Sequence, residues 1–354
     1  MSESGPGRRV LLTGGAGYIG SHVAVALAAA GDEPILLDSF INSDRQVPER
    51  LRRITGLDAS GLPLLELDLQ DTARLRTALR DEVARGGPIA AVLHFAALKA
   101  VGESVQEPLR YYENNIGGTL SLLRVMTELG IPRLVFSSSA TVYGDPDAVP
   151  IPETAALRPT NPYGRSKLMM EQALSDVARA AAGTPAPLEV VLLRYFNPVG
   201  AHESGLIGDD PAKPANLMPV VARVASGELA ELSVFGQDWP TRDGTGMRDY
   251  IHIEDLAEAH VTALTAPPAR DGSGTTVYNV GTGVGHSVLE LVAAFERESG
   301  RAIPRRFVAR RPGDVATLIA DSSRIAAELG WRARRTLADM VRSAWRYHRS
   351  AASR

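Results

Sequence analysis

One segment constrains the fold of this 354-residue chain more than any other. The apolar run Val10 to Thr13 passes straight into Gly14-Gly15-Ala16-Gly17-Tyr18-Ile19-Gly20 and then into a helical stretch, Ser21 to Ala30. Glycines at 14, 17 and 20 let the turn tighten and let helix pack on strand. They also open backbone N–H groups at a helix N-terminus to a pyrophosphate. A lone glycine pattern is weak evidence, but one set between a strand and a helix is strong. The rhythm then repeats. Residues 9–13, 34–38, 64–69, 91–96, 133–138 and 190–195 read as buried strands, with helices expected over 18–30, 71–84, 107–129 and 161–182. Such alternation predicts an α/β fold, a doubly wound parallel sheet with helices on both faces.

After residue 197 the rhythm breaks into loops rich in Gly, Pro and Asp, as in 205–214 and 238–246. The expected organisation is a frayed tail over 1–7, a Rossmann-type dinucleotide-binding domain over 8–196 and a smaller C-terminal α/β substrate domain over 197–354. Some later segments are expected to return to the first domain, and the ligand to sit in the cleft between the two. Zero cysteines exclude disulfides, thiolate nucleophiles and cysteine-held metals, and no HExxH, paired-His or acidic cluster points to a metal. A net charge of -3 argues against nucleic acid as a partner. No apolar run reaches the roughly 18–20 residues of a membrane span, and the first seven residues lack a secretory core, so no membrane partner and a cytoplasmic location are expected.

The second strand ends in Asp38, placed to accept hydrogen bonds from an adenosine ribose and to repel a 2′-phosphate, which favours NAD. Arg45 lies near enough to leave NADP open. Farther on, Tyr163 and Lys167 stand four apart at the start of a helix, where one face carries both and an ammonium can stabilise a phenolate. With 9 Tyr and only three lysines (Lys99, Lys167 and Lys213), chance gives about 0.08 such pairs in the chain. Upstream, strand 133–138 leads into Ser137-Ser138-Ser139-Ala140-Thr141-Val142-Tyr143-Gly144. Ser139, at the carboxyl end of a central strand, is placed to share a substrate hydroxyl with Tyr163. His94 and His252 lie in apolar runs and read as core histidines.

These motifs together resemble the extended short-chain dehydrogenase/reductase superfamily. Within it, His94-Phe95-Ala96-Ala97-Leu98-Lys99-Ala100-Val101-Gly102-Glu103-Ser104, Leu193-Arg194-Tyr195-Phe196-Asn197-Pro198-Val199-Gly200 and Gly246-Met247-Arg248-Asp249-Tyr250-Ile251-His252 are similar to the UDP-glucose 4-epimerase family. The resemblance covers nearly the whole chain after residue 7. It implies that NAD is held by Gly14, Gly17, Tyr18, Ile19, Gly20, Asp38, Asn42, Ser43, Asp68, Leu69, Phe95, Ala96, Ala97, Lys99 and Asn114, with Ser139, Tyr163, Lys167, Tyr195 and Phe196. Ser39 departs from the Asn of many bacterial relatives. For a UDP-hexose, the resemblance implies contacts from Lys99, Ser139, Tyr163, Asn197, Asn216, Leu217, Phe235, Arg248, Tyr250, Arg311, Asp314 and Leu318. Arg248 and Arg311 would be cationic forks on the diphosphate, and 216–219 a helix start whose N–H groups face phosphate. Phe235 and Tyr250 would lie on the uracil side, and Asp314 on a ribose.

The implied reaction is inversion at C4, linking UDP-galactose and UDP-glucose. Tyr163 as phenolate takes the 4-hydroxyl proton, C4 yields hydride to nicotinamide, and the 4-keto sugar turns about its diphosphate and regains hydride on its other face. Dehydratases of the superfamily carry an Asp-Glu pair where this chain has Ala140-Thr141, which argues against elimination. A noncatalytic NAD sensor on the same fold is the alternative of a different class. Leu318, intermediate in size at a position that gates N-acetylated sugars, predicts a preference for UDP-glucose and UDP-galactose. A homodimer is implied as well, through helices near 107–129 and 161–182.

Overall fold

The computed structural model describes residues 7–209, 216–311 and 313–352. Most of the expected tail and Lys213 lie outside the described residues. The chain divides into two compact units. One comprises residues up to Val142, Asn161–Arg194 and Ala257–Tyr278; the other comprises Tyr143–Thr160, Tyr195–Leu256 and Asn279 onward.

The first unit is built around β1 (Arg9–Thr13), in which Val10, Leu11 and Leu12 are wholly buried. β1 pairs in parallel with β2 (Glu33–Asp38), and α1 (Tyr18–Ala29) connects them. On its other side it pairs in parallel with β4 (Ala91–His94), reached through α2 (Val47–Thr55), β3 (Leu64–Glu66) and α3 (Thr72–Gly86). Next come α4 (Val101–Gln106), α5 (Pro108–Tyr112), a π-helical turn (Glu113–Gly117) and α6 (Gly118–Leu129). They lead to β5 (Arg133–Ser139), and α7 (Pro162–Ala181) precedes β6 (Glu189–Tyr195).

With β10 (Thr275–Val280), the sheet runs in the order β10-β6-β5-β4-β1-β2-β3. The order reverses between β1 and β4, and the crevice at such a reversal is where α/β sheets bind ligands. Continuous apolar runs explain the strands, because both faces of the sheet are covered. Helix starts follow from capping: the Asp71 carboxylate accepts the Arg74 N–H at 3.0 Å and the Asn161 side-chain Oδ1 accepts the Gly164 N–H at 2.9 Å.

Several boundaries differ from the sequence reading. β3 stops at Glu66 and β4 at His94, because the residues beyond leave the ladder to form the loops at its carboxyl edge. The single helix expected over 107–129 is three pieces, since the π-turn swings the Asn115 amide onto Leu98, accepting its N–H at 2.8 Å and donating to its carbonyl at 3.1 Å. α2 and α4 were not anticipated. α2 buries only Val47, Pro48 and Leu51, too short a stripe for periodicity to reveal.

The second unit centres on β9 (Met247–His252). β7 (Asn197–Val199) and β13 (Thr317–Leu318) pair with it in parallel and β11 (Gly285–Ser287) antiparallel, while β8 (Leu232–Phe235) and β12 (Arg305–Val308) form a parallel pair. Its core joins α8 (Leu217–Ser226), α10 (Val288–Ser299) and α12 (Leu337–Ala352) through Val221, Leu291, Phe295 and Val341. Between them in the chain lie α9 (Ile253–Ala263) and α11 (Ser323–Leu329). Among the described residues, no helix is long and apolar enough to cross a membrane.

His94 is buried in the first unit, its ring nitrogens 2.6 Å from the Thr13 hydroxyl and 2.9 Å from that of Thr119. Burial, with Lys167 nearby, pushes it down to about 3. The unfolded chain therefore takes this proton first as pH falls. Stability present above about pH 6.5 is lost progressively toward pH 3, at up to roughly 1.4 kcal/mol per pH unit. Urea titrations at pH 7.5, 6 and 5 are expected to show a steeper loss for the native chain than for His94→Asn, in which that proton has no site.

Candidate active site

In the first unit the loop after β1 is a cradle that side chains would fill. A Cβ at Gly20 would stand 2.2 Å from the Gly14 carbonyl oxygen and 2.9 Å from the Gly15 Cα; one at Gly14, whose φ is +70°, would stand 2.9 Å from the Ala96 nitrogen. Gly17 caps α1 without a side-chain hydrogen bond, and no acid lies in the first helical turn. The positive end of the helix, at Tyr18 and Ile19, suits a phosphate. Asp38 is buried, and its Oδ2 accepts the Ala16 N–H at 2.9 Å. Its Oδ1 accepts the Phe40 N–H at 2.9 Å and the Ser43 hydroxyl at 2.8 Å. The carboxylate thus ties the glycine loop to the end of β2 and keeps acceptor capacity on Oδ2. These features fit a dinucleotide.

Around the cradle, Phe95 packs its ring 4.9 Å from that of His260, and the Ala96 N–H reaches the Thr13 hydroxyl at 3.4 Å. The next residue is Ala97, and the Lys99 Nζ lies 5.6 Å from the Tyr18 ring centroid. Leu69 is buried, whereas Asn42 and Asp68 are exposed, the latter accepting the Gln70 N–H at 2.9 Å. The Asn114 side-chain amide donates to the Asn115 side-chain Oδ1 at 3.0 Å. Asn115 is the clamp that sequence reasoning missed: besides gripping Leu98 it donates to the Ser166 hydroxyl at 3.0 Å. Polar residues and paired glycines inside 113–118 were the available signal.

β5 and α7 bring together Ser139, Tyr163 and Lys167. The Lys167 Nζ donates to the Ser137 carbonyl at 2.7 Å, stands 4.8 Å from the Phe136 ring centroid and 5.9 Å from that of Tyr163. Ser139 accepts from the Thr141 hydroxyl at 3.0 Å. Burial pushes the Tyr163 phenol up to about 12, with the Ser139 hydroxyl working the other way. Burial also brings the Lys167 amine down to about 7, while Glu171 raises it. The spacing led us to expect that the ammonium would lower the phenol; in this dry site desolvation is the larger effect on both groups.

The second unit holds Tyr195 and Phe196, both buried, together with the residues expected to meet a UDP-sugar. β9 sets several in register, with Arg248 opposite Leu318 of β13 and Tyr250 opposite Asn197 of β7. Arg248 Nη1 donates to the Met247 carbonyl at 2.8 Å; burial weakens its hold on its proton, and Tyr250 and Asp314 act in the opposite sense. Burial pushes the Tyr250 phenol up to about 12. The Arg311 guanidinium lies 3.8 Å from the Phe235 ring centroid. Asn216 precedes α8, which starts at Leu217, but its amide donates to Asp209 at 2.9 Å and does not cap the helix. Among the described residues, no three His, Asp or Glu side chains gather as metal ligands would.

A dinucleotide cradle on a doubly wound sheet, with a Ser, Tyr and Lys group at the end of its central strands, defines a class. The chain belongs to the NAD dependent epimerase/dehydratase family, whose pattern matches residues 10–281. It is 52% identical over 342 residues to the UDP-glucose 4-epimerase of Bacillus subtilis (strain 168), covering 96% of this chain and 97% of that one. The crystal structure of the UDP-glucose-4-epimerase from Stenotrophomonas maltophila, with bound NAD and formylated UDP-arabinopyranose, is similar at a TM-score of 0.90 and 50% identity, covering 98% of this chain and 99% of that one. That from Bifidobacterium longum, in complex with NAD+ and UDP, gives 0.90 at 46% identity, covering 97% and 99%.

Because a Cβ at Gly20 has nowhere to go except into the loop backbone, Gly20→Ala should weaken NAD binding roughly tenfold or more while leaving the circular dichroism spectrum unchanged. Calorimetric titration with NAD checks this, and unaltered affinity would remove the cradle's assigned role.

Proposed function

We propose that the chain is an NAD-dependent UDP-glucose 4-epimerase, interconverting UDP-galactose and UDP-glucose through a transient 4-keto sugar, as a cytoplasmic homodimer. The observation that carries this reading is the joint presence, within one unit, of the glycine cradle and the Ser139, Tyr163 and Lys167 group on β5 and α7. The likeness to UDP-glucose 4-epimerases along nearly the whole chain supports it.

Gly14, Gly17, Gly20, Tyr18, Ile19 and Asp38 would hold NAD, which supplies a hydride acceptor and later a hydride donor. Tyr163 moves the proton of the sugar's 4-hydroxyl, and Ser139 shares that hydroxyl and orients it. From a phenol near 12, transfer at pH 7 calls for about 7 kcal/mol of preferential stabilisation of the anion. Lys167 supplies positive charge for that task, and its position on the same helix face keeps the separation fixed. Arg248, beside Leu318 and facing Asp314 and Tyr250, and Arg311 on Phe235 are the cations for a diphosphate. Leu318 then limits the volume beside the sugar, favouring hexoses without an N-acetyl group.

Purified protein given UDP-galactose without added reductant is expected to form UDP-glucose, and Tyr163→Phe to lower kcat by about three orders of magnitude. Near-normal turnover in that variant would overturn the proton-transfer role. A different experiment addresses assembly. Leu109 of α5, Leu120 of α6 and Met169 of α7 are 72%, 39% and 44% exposed, a density of apolar surface that supports pairing of two copies there. Sedimentation of Leu109→Glu/Met169→Glu is expected to give half the native mass; an unchanged mass would place any self-association elsewhere.

A further inference from the structure

Tyr163, Lys167 and Glu171 follow one another at intervals of four, along one stripe of α7. Three consecutive serines of β5 answer them. The Ser139 hydroxyl favours the ionised form of the Tyr163 phenol, the Ser137 carbonyl accepts the Lys167 ammonium at 2.7 Å, and the Ser138 hydroxyl donates to Glu171 Oε1. Arg194, at the end of β6, closes the set with two bonds, Nε to Oε1 at 2.9 Å and Nη2 to Oε2 at 2.6 Å. Ser138, Lys167, Glu171 and Arg194 are all buried. Nothing in the reaction proposed above uses Glu171.

We propose that Glu171 is a positioning residue for the reaction: through Ser138 and Arg194 it fixes α7 against β5 and β6, and it supplies the negative charge that keeps the Lys167 amine an ammonium beside Tyr163. This rests on the function proposed above, in which Tyr163 and Lys167 handle the proton. The groups around Lys167 leave that task to few candidates. From its own helix come Tyr163 and Glu171; from β5, the Phe136 ring face and the Ser137 carbonyl; from β4, His94; and from β6, Arg194, bound to Glu171. Of these only Glu171 carries negative charge. Its effect opposes the desolvation that brings the amine down to about 7, whereas burial holds His94 neutral. A shared, twofold Arg194 contact and the Ser138 bond prevent the carboxylate from turning away from the lysine.

The chain's three lysines, Lys99, Lys167 and Lys213, make a direct test practical, because lysine-selective isotope labelling yields three side-chain NMR signals to titrate. Glu171→Gln keeps the shape and removes the charge. It is expected to move the Lys167 midpoint down by about one pH unit and to leave the other two lysines in place. In turnover of UDP-galactose, kcat is expected to fall roughly tenfold with KM within about twofold, and the alkaline limb of the kcat profile to move to lower pH. Where loss of the Arg194 to Glu171 ion pair prevents folding, Glu171→Gln/Arg194→Gln removes both charges and is expected to shift Lys167 in the same direction. A Lys167 midpoint that stays put in the variant that folds overturns the proposal, even if kcat falls, since a merely structural pair would act without touching the ammonium. A native chain that converts no UDP-galactose refutes the function proposed above, and the NMR midpoint still decides whether Glu171 holds the charge on Lys167.

Discussion

The packing of α7 on β5 is the constraint on which the candidate site depends. A helix that buries a phenol, an amine and a carboxylate on one stripe can exist only if each group finds a partner inside the sheet layer, because an unpartnered buried polar group costs about 1–3 kcal/mol and a charge more. Strand β5 meets that demand with Ser137, Ser138 and Ser139. The reciprocal is also true. The buried Ser138 hydroxyl would itself be a defect in an apolar core if α7 did not bring the Glu171 carboxylate to it. The strand and the helix therefore specify one another's register, and the geometry of the proposed proton transfer comes from folding and needs no separate ordering step.

A dry site has two consequences that pull against each other. Low local dielectric strengthens the influence of each charge on its neighbours, and it also penalises every charged form. Burial acts on Tyr163 to retain its proton and on Lys167 to lose one, so both groups are driven toward neutrality. A site poised in this way responds strongly to any additional charge placed within it. That responsiveness suits a reaction in which a proton must leave a sugar hydroxyl and return to it.

Much of this architecture could be read from residue order, and the remainder could not for a consistent reason. The glycine loop, the apolar strands, Asp38 and the four-residue interval between Tyr163 and Lys167 are local patterns, set by turn sterics and by helix and strand periods. The ties that complete the site join residues far apart in sequence: Thr13 with His94, Asn115 with Leu98 and Ser166, Glu171 with Arg194. No period links them. Asn115 also owes its aim to a π-turn, which adds one residue to a helical turn and so rotates the face that a regular helix would present. Asp38 shows a subtler limit. Its place at the strand end suggested a ribose ligand, yet its visible work includes holding Ala16, Phe40 and Ser43, a loop-organising role that residue order cannot separate from a binding one.

In the second unit a single buried acid sets the same kind of register for β9. Asp249 accepts the Thr282 N–H at 2.8 Å, the Thr282 hydroxyl at 2.6 Å, the Gly283 N–H at 2.9 Å and the Ala320 N–H at 3.2 Å. Successive strand side chains alternate, so a residue anchored this firmly on one face fixes Arg248 and Tyr250 together on the other. A slip of one position would bury the guanidinium where Asp249 now sits and leave those donors without an acceptor. The pairing of Arg248 with Leu318 and of Tyr250 with Asn197 then follows from backbone ladders, so the cation, the aromatic ring and the aliphatic side chain keep a fixed spacing without relying on flexible side chains to find one another.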